Sequence, residues 1–464
     1  MTVLEQVGAY VARGGRESPS AHVRRALRLH VADTVGAWIA GCSTAEGRML
    51  VGLGSPPRES RAPRLTRDGT LDEVMTNCAL ARLSEIDDIH LSSGTTPGAL
   101  VIPAALTIGG SLALDRAAIT EAILVGYEAM VRLGAALNGP SILYRGIWPT
   151  YFTAPFGVAA TAARLLGLTA RQAAQALGVA LIMASPGVGC QSGATLSRWL
   201  AVGYAARTGV SAALSAQAGF TADLNLLEGD FFPSIYGLTP DLTTLTDGLG
   251  ESSILLDVSF KPWCAARQTM AATQALREII EIGVSAADMT EIVVSVPEPY
   301  VGMINHGIAP GDRMSHLTSV SYQMALSVFA PGAVFDVNQT PAEVSEEIRA
   351  FMSKVTVRAD DSLLQYYPRA WPARLVVCAR SGRHERLLTH VPGDPERPFD
   401  ERQVVAKFRR VVAPVVGERA AEDLAGRSLA ALEEDGAPAS LLAEVERARA
   451  AATGRAKAGR NREG

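Results

Sequence analysis

Residues 1–260 repeat apolar side chains at the three- and four-residue spacing that is typical of amphipathic helices. The clearest case is 20–41, where Ser20 is a candidate N-cap and Gly41 a candidate stop. His30 lies in the apolar stripe of this segment, and we interpret it as a core histidine rather than a ligand. The pattern therefore predicts a large, mainly helical domain.

Within this helical part, the same order occurs three times: an apolar helix, a polar loop with Gly or Pro, and another apolar helix. The first loop lies within Leu83–Pro103, the second is Gly146–Pro155 and the third is Gly189–Thr195. Loops at one end of a helical bundle can meet at one pocket. We therefore expect a binding site where these loops come together.

After Phe260 the pattern changes to alternating or β-branched runs, as strands have. We predict strands at Met289–Val296, Lys354–Arg358, Ala373–Ala379 and Glu385–Val391, with a hairpin turn at Ser381-Gly382. Helices are predicted at 266–282, at 315–328, and at 341–352 after Thr340. This part of the chain is therefore predicted to be a separate α+β module.

Shorter signals mark the remaining segments. Thr169 with Gln172 is typical of a capping box. Residues 400–448 return to helical spacing, with Asp400 as the N-cap. Residues 53–70 are rich in Pro, Arg and Ser and are predicted to form a loop, and the basic tail 451–464 is expected to be disordered.

Composition excludes several classes of protein. Of 464 residues, 48% are hydrophobic and 19% charged, which indicates a large core rather than a disordered chain. A net charge of −4 recruits neither nucleic acid nor an anionic membrane. The five cysteines lack CxxC spacing, which argues against a disulfide framework or zinc. Without a signal peptide or membrane span, we expect a cytoplasmic protein. The apolar surplus suggests burial between subunits.

Titratable residues are most concentrated at one helix-to-loop junction. Glu85, Asp87, Asp88 and His90 fall within six residues, just before a polar loop and an apolar helix that starts at Pro97. Such junctions often carry sites. Taken alone, this stretch is typical of an acid/base or metal cluster.

Several segments resemble, in order, the MmgE/PrpD family, which includes 2-methylcitrate dehydratase and cis-aconitate decarboxylase. They are LHVADTVGAWIAGC (29–42), EIDDIH (85–90), TPGALVIPAAL (96–106), FGVAATAARLLGL (156–168), FKPWCAARQTMAA (260–272), SVSYQMALSV (319–328) and PGDPERPFDERQVVAKFR (392–409). The resemblance implies a mainly α large domain formed by 1–261 and 399–450, and a smaller α+β lid domain at 262–398. It also implies a homodimer with a small-molecule substrate between the domains, and no obligatory metal or organic cofactor.

Members of this family act on small polycarboxylates by loss of water, loss of carbon dioxide, or epimerisation beside a carboxylate. Each reaction needs a base that moves a proton and cations that hold negative charge. The resemblance gives Lys261 and Tyr322 catalytic roles together with Asp88. Arg198 falls near a cationic position of the family, and Arg198 and Glu85 are candidate substrate-binding residues.

Four histidines that the resemblance implies are replaced here, by Thr96, by Trp148, by Arg267 or Gln268, and by Ala201. Threonine and tryptophan do not titrate near neutral pH and cannot act as histidine acid/base groups. His90 is the imidazole closest to Asp87 and Asp88, so it is the candidate to replace the missing histidines in proton transfer. The residues expected to contact the substrate also include Thr96, Trp148, Tyr151 and Arg267.

These features leave three hypotheses open. The first is a lyase or isomerase of a carboxylated small molecule that does not perform the standard 2-methylcitrate or cis-aconitate reaction. The second is a cofactor-free cyclase or isomerase of a larger, less polar substrate in specialised (natural-product) metabolism, shaped by Trp148, Tyr151 and Phe152. The third is an inactive scaffold, and the retained Lys261 and Tyr322 weigh against it.

Overall fold

The computed structural model describes residues 1–15, 18–54, 69–185, 187–190, 195–251, 253–341 and 343–463. The chain forms two compact units: Met1–Cys190, Leu196–Val258 and Asp400–Gly464 make the first, and the second contains Ser259–Phe399. The domain junctions predicted after residues 261 and 398 lie within three residues of these bounds. Most of the loop predicted at 53–70, and most of the third polar loop, lie outside the described residues.

The first unit is built from helices, as the apolar spacing predicts. They are α1 (Val3–Arg13), α2 (Ala21–Gly41), α3 (Ala45–Gly54), α4 (Gly69–Leu83), α5 (Gly98–Ser111), α6 (Arg116–Ala136), α7 (Gly139–Leu143), α8 (Pro149–Leu165), α9 (Ala170–Ile182), α10 (Ser197–Gln217), α11 (Phe231–Tyr236) and α12 (Leu242–Thr246). The last helices of the chain, named below, complete this unit.

Predicted capping residues begin several of these helices. The Ser20 side chain accepts a hydrogen bond from the backbone N–H of Val23 at the start of α2. Thr169 and Gln172 form the predicted capping box of α9. These caps are confirmed, and they satisfy backbone N–H groups that the first turn of a helix leaves without partners.

The core of the first unit surrounds two helices that are apolar on nearly every side. In α5 the residues from Gly98 to Gly109 are all buried, and in α8 nearly every residue is buried. A helix without a polar face must be covered on all sides. Accordingly, α8 packs against α5, α6, α9 and α10.

The described part of the second unit contains five α-helices and a four-stranded sheet. Its helices are α13 (Arg267–Glu281), α14 (Glu298–Ile304), α15 (Arg313–Thr318), α16 (Val320–Phe329) and α17 (Glu346–Met352), and its strands are β1 (Met289–Val296), β2 (Val355–Ala359), β3 (Ala373–Ala379) and β4 (Gly382–Leu388). The strand order is β2-β1-β3-β4. β1 is parallel to β2 and antiparallel to β3. β3 and β4 form the predicted hairpin, but β4 spans Gly382–Leu388 rather than Glu385–Val391, because Gly382 already pairs with Ala379. Helix α13 packs on β3 and β4.

The chain ends in α18 (Glu401–Val416), α19 (Glu418–Ala430) and α20 (Ala437–Glu463). The first of these begins at Asp400, whose side chain forms a capping box with Gln403, so that predicted N-cap is confirmed. Helix α20 continues through the tail that was expected to be disordered. Ala and Arg, which make up 7 of the 14 residues of that tail, are strong helix formers. Among the described helices, none is long and apolar enough to cross a membrane.

Two predicted helices of the second unit begin or end elsewhere. The helix predicted from Pro341 starts only at Glu346, because the Ser345 side chain accepts from the N–H of Ile348 and is the N-cap. The helix predicted over 315–328 is interrupted at Ser319, whose extended backbone separates α15 from α16.

Candidate functional site

The polar loops of the first unit meet at one end of its helices. The Thr96 N–H donates to the Thr150 hydroxyl at 3.0 Å, which joins the first loop to the second. The Gly189 N–H donates to the Gly146 carbonyl at 3.1 Å, which joins the second loop to the described part of the third. The expected meeting of loops is therefore observed within the first unit.

Asp88 is held on three sides in the interior of this unit. Its Oδ1 accepts from the Gly98 N–H at 2.8 Å, at the start of α5. Its Oδ2 accepts from the Tyr127 hydroxyl at 2.7 Å and lies 2.9 Å from His30 Nδ1. The Asp88 side chain is fully buried. This geometry is that of a carboxylate that joins α2, α5 and α6, and His30 is the core histidine that was predicted.

A second buried charge pair lies next to this carboxylate. Lys407 Nζ lies 2.5 Å from Asp33 Oδ1 and donates to the Ile86 carbonyl at 2.8 Å. Burial raises the pKa of the Asp33 carboxyl, and Lys407 offsets only part of that rise. Sequence reasoning missed both residues, although both occur in segments that carry the family resemblance.

The other acids of the stretch are paired with an arginine. Arg82 Nη1 lies 2.9 Å from Glu85 Oε1 and 3.3 Å from Asp87 Oδ1. Burial lowers the pKa of the Arg82 guanidinium, but Asp87 and Glu85 raise it more, so it stays above its ordinary value. Glu85 has a φ of 57°, which is rare for a residue other than glycine. No local signal in the sequence indicates that Arg82 pairs with Glu85 and Asp87.

His90 is buried and neutral rather than exposed. Its backbone N–H donates to the Thr95 carbonyl at 2.8 Å, and the Ser93 N–H donates to its Nδ1 at 3.2 Å. Since Nδ1 accepts, the ring proton is on Nε2, for which the described residues offer no partner. Burial lowers the pKa of His90 to about 4, against an opposing effect of Asp88. At neutral pH the ring is therefore an uncharged hydrogen-bond donor.

The position of the first replaced histidine is filled by a pair of hydroxyls. Thr96 Oγ1 lies 3.2 Å from Thr150 Oγ1, and both threonines are buried. Neither hydroxyl titrates in the physiological range. The pair joins the two loops and offers no proton-transfer group of its own.

The position of the second replaced histidine carries an indole that holds a cation. The Arg198 guanidinium carbon lies 4.9 Å from the centroid of the Trp148 ring, a cation–π arrangement. The Tyr151 ring meets the same indole edge-on, with 5.6 Å between centroids. Gly189 packs so closely that a Cβ there would lie 2.5 Å from the indole. Arg198, Tyr151 and Gly189 thus all contact the indole, which remains partly exposed.

Two polar groups beside this indole are buried without partners. Tyr151 is fully buried and Arg198 is 3% exposed. Within the described part of the chain, neither the Tyr151 hydroxyl nor Arg198 Nε has a hydrogen-bond partner. Burial raises the pKa of the Tyr151 phenol, so it keeps its proton at neutral pH. Phe152 instead packs on Phe232 and Tyr236 in the core.

In the second unit, Lys261 is buried in the segment that leads to α13. The neighbouring Phe260 N–H donates to the Gly393 carbonyl at 2.9 Å. A side chain at Gly393, whose φ is 100°, would lie 2.4 Å from the Phe260 carbonyl oxygen. Gly393 therefore permits the close approach that positions the lysine segment.

Arg267 already has a carboxylate partner in its own unit. Its Nη2 donates to both carboxylate oxygens of Asp394, at 2.9 and 2.7 Å, and both side chains are almost fully buried. Arg267 was expected to bind substrate. The structure pairs its Nη2 with Asp394, which supplies the counter-charge that a buried guanidinium requires. Its Nε and Nη1 have no hydrogen-bond partner among the described residues, so substrate binding by Arg267 stays a prediction.

Tyr322 is buried next to a histidine that the sequence analysis did not single out. Its ring meets that of His316 edge-on at 5.0 Å. Burial raises the pKa of the Tyr322 phenol, and Asp336 adds to the rise. Gln323 donates to the His316 carbonyl at 2.9 Å and to Gln339 at 2.8 Å. These amides position the tyrosine helix, and no local sequence signal marks them.

The fold and the site together define a class of protein. It combines a mainly helical unit, in which buried polar groups gather where the loops meet, with a smaller α+β unit in the same chain. Among the described side chains, no three His, Cys, Asp or Glu residues are grouped as metal ligands.

Family models define that class more closely. The model of the MmgE/PrpD N-terminal domain matches residues 5–232, and that of the MmgE/PrpD C-terminal domain matches residues 263–430. The chain belongs to the MmgE/PrpD family. The predicted family and two-domain fold class are therefore confirmed.

Curated relatives include decarboxylases from fungi. Cis-aconitate decarboxylase of Aspergillus terreus is 32% identical over 170 residues, which are 35% of this chain and 34% of the relative, and a second strain gives the same values. The matched segment is thus about a third of the length of those relatives. The cis-aconitate decarboxylase-like protein oryM of Aspergillus oryzae is 22% identical over 406 residues, 82% of this chain and 83% of the relative. These relatives support a lyase-type function.

Proposed function

We propose that the chain is a cofactor-independent lyase or isomerase that acts on a carboxylated small molecule, as a homodimer, by proton abstraction or elimination. A base would remove a proton from a carbon beside a carboxylate, and cations would hold the negative charge. A carboxylate substrate is supported by the relatives, which are named as a cis-aconitate decarboxylase and a cis-aconitate decarboxylase-like protein.

One observation carries this proposal: the buried Arg198 has no carboxylate partner in the described part of the chain, and it lies where the loops meet. A buried cation is strongly unfavourable unless an anion neutralises it. Arg82, in contrast, is engaged by Glu85 and Asp87. Arg198 is therefore the cation of this cluster that a substrate carboxylate would pair with.

The groups available for proton transfer differ from those that the family pattern implies. Asp88 is saturated with donors and Glu85 is paired, so both are poorly suited to act as the base. With Nδ1 occupied and the proton on Nε2, the neutral His90 ring is suited to donate a hydrogen bond to the substrate, so Lys261 and Tyr322 remain our candidates for moving the proton. Because two histidine positions carry Thr96 and Trp148, we propose that the reaction is not the standard 2-methylcitrate or cis-aconitate reaction.

A larger, less polar substrate has weaker support. That alternative needs an open indole face at Trp148, but Arg198, Tyr151 and Gly189 contact the ring and leave it only partly exposed. Phe152, expected to help shape such a substrate, is in the core. An inactive scaffold gives no reason to keep the buried Arg198 cation without an anion beside it, which argues against that hypothesis.

Binding of polycarboxylates tests the proposal. Arg198→Ala should weaken calorimetric binding of carboxylates by roughly a hundredfold, as expected for a desolvated charge pair. Arg207→Ala is the matched control, since Arg207 lies on the same helix and pairs with Asp72. Equal binding by the wild type and Arg198→Ala would refute the proposed anchor.

Turnover tests the reaction itself. The purified protein is incubated with citrate, 2-methylcitrate, cis-aconitate and iminodisuccinate, and each is followed by NMR. Conversion of any of them at ordinary enzyme rates would contradict the claim that the standard chemistry is lost. Once a substrate is found, Lys261→Ala should abolish turnover and leave the fold intact, and full activity would remove the lysine from the mechanism.

A further inference from the structure

We propose that the Tyr151 hydroxyl and the Arg198 guanidinium form a two-donor clamp for one substrate carboxylate. This inference rests on the proposed function, because it names a second group that holds the same anion. It changes the expected role of Tyr151 from an aromatic wall to a hydrogen-bond donor.

The Tyr151 hydroxyl lacks a hydrogen-bond partner in the described part of the protein interior. Tyr151 is fully buried, and no hydrogen-bond partner of its hydroxyl exists among the residues that the structure describes. A buried hydroxyl without a partner is destabilising, and phenylalanine would fill the same space without that penalty. The next residue, Phe152, shows that this helix accommodates a phenyl ring in the core. We infer that the partner of the hydroxyl arrives with the ligand.

The two donors lie beside the same indole. Tyr151 is in the first turn of α8 and meets the Trp148 indole edge-on, and Arg198 lies over the same indole. The charges that act on the Tyr151 phenol are those of Arg82, Glu85, Asp87 and Arg198. Arg82 is engaged by the two carboxylates, which leaves Arg198 as the cation without a carboxylate.

Both groups act as hydrogen-bond donors at neutral pH. Arg198 can only donate hydrogen bonds, and burial keeps the Tyr151 phenol protonated at neutral pH, so it also acts as a donor. The group that satisfies both is an acceptor with negative charge. A carboxylate meets this requirement, whereas a carboxamide or a methyl ester lacks the charge that Arg198 requires.

Calorimetric titration with tricarballylate, a saturated tricarboxylate, tests the clamp. Tyr151→Phe should weaken binding by roughly tenfold or more, as expected for a lost hydrogen bond to a charged group. It should leave the melting temperature of the free protein unchanged or higher, because an unsatisfied buried hydroxyl is removed. Tyr236→Phe is the matched control, since it removes a phenol oxygen from the aromatic cluster around Phe152 and should bind as the wild type does.

The outcomes separate this inference from the proposed function. If Arg198→Ala loses binding and Tyr151→Phe binds as the wild type does, the clamp is refuted and the anchor stands. A marked fall in the melting temperature of free Tyr151→Phe would also overturn the clamp, because the hydroxyl would then have a structural partner. If the wild type binds neither tricarballylate nor any other polycarboxylate, both proposals fall.

Discussion

Replacing Asp88 with alanine distinguishes a structural carboxylate from a catalytic base. The side chain accepts from the Gly98 N–H and the Tyr127 hydroxyl, and its Oδ2 also lies 2.9 Å from His30 Nδ1. All of these groups are buried. Asp88→Ala would leave three polar groups in the core without their acceptor, so we expect the loss to fall on stability.

The expected magnitude follows from these contacts. Each hydrogen bond to a charged group contributes about 1.5–3 kcal/mol, and partial rearrangement lowers the sum. We therefore expect Asp88→Ala to lower the free energy of unfolding by about 3–5 kcal/mol. Tyr127→Phe removes one donor and leaves the other two contacts, so about 1.5 kcal/mol, the lower end of that range, is expected. Asp115→Ala, the same change at the exposed N-cap of α6, should lower stability by about 1 kcal/mol.

Urea unfolding followed by circular dichroism measures the stability of the three variants. The calorimetric titration with tricarballylate is repeated on each folded variant. The expected order of destabilisation places Asp88→Ala well above the other two variants. If Asp88→Ala kept the unfolding midpoint of the wild type but lost turnover of a substrate in the NMR assay, Asp88 would be the base and the structural assignment would be wrong.

Three further predictions test other residues. The imidazole of His90 binds a proton below about pH 6.5 in the unfolded chain and only near pH 4 in the folded one. The free energy of unfolding should therefore fall by about 3 kcal/mol as the pH is lowered from about 6.5 to about 4, and His90→Gln should flatten this slope in urea titrations at several pH values. Gly189→Ala should displace Trp148, seen as a shift in tryptophan fluorescence and weaker tricarballylate binding, and an unchanged spectrum would contradict the packing. Asp394→Ala should destabilise the protein by about 3–5 kcal/mol in urea, because it leaves Arg267 buried without its partner, and a neutral result would free Arg267 for substrate binding.

The elements that were predicted well are those with local signals. Ser20, Thr169 and Asp400 each accept from a backbone N–H three residues later, so the sequence carries the helix start in adjacent positions. The strands after Phe260 were found because alternation is also a local property. Where two local signals competed, as at Pro341 and Ser345, the hydroxyl cap determined the helix start.

The partners of the charged residues were not predictable in this way. Asp33 and Lys407 are far apart in the chain, and each reads as one polar residue in a helix. Arg82 lies in an apolar helix, and nothing nearby indicates that it neutralises Glu85 and Asp87. Such pairs depend on which helices pack together, and spacing along one helix does not encode that choice.

The replaced histidines illustrate how far a family pattern can be read without structure. The sequence shows that Thr96 and Trp148 cannot transfer protons, which suggests a site that has lost its function. The geometry gives another reading, because the indole of Trp148 carries the guanidinium of Arg198 and the Thr96 hydroxyl joins the loops around it. A position that loses an acid/base group can thus support the binding of an anion. In our proposal the site binds a carboxylate through Arg198, and a group other than the replaced histidines, such as Lys261 or Tyr322, moves the proton.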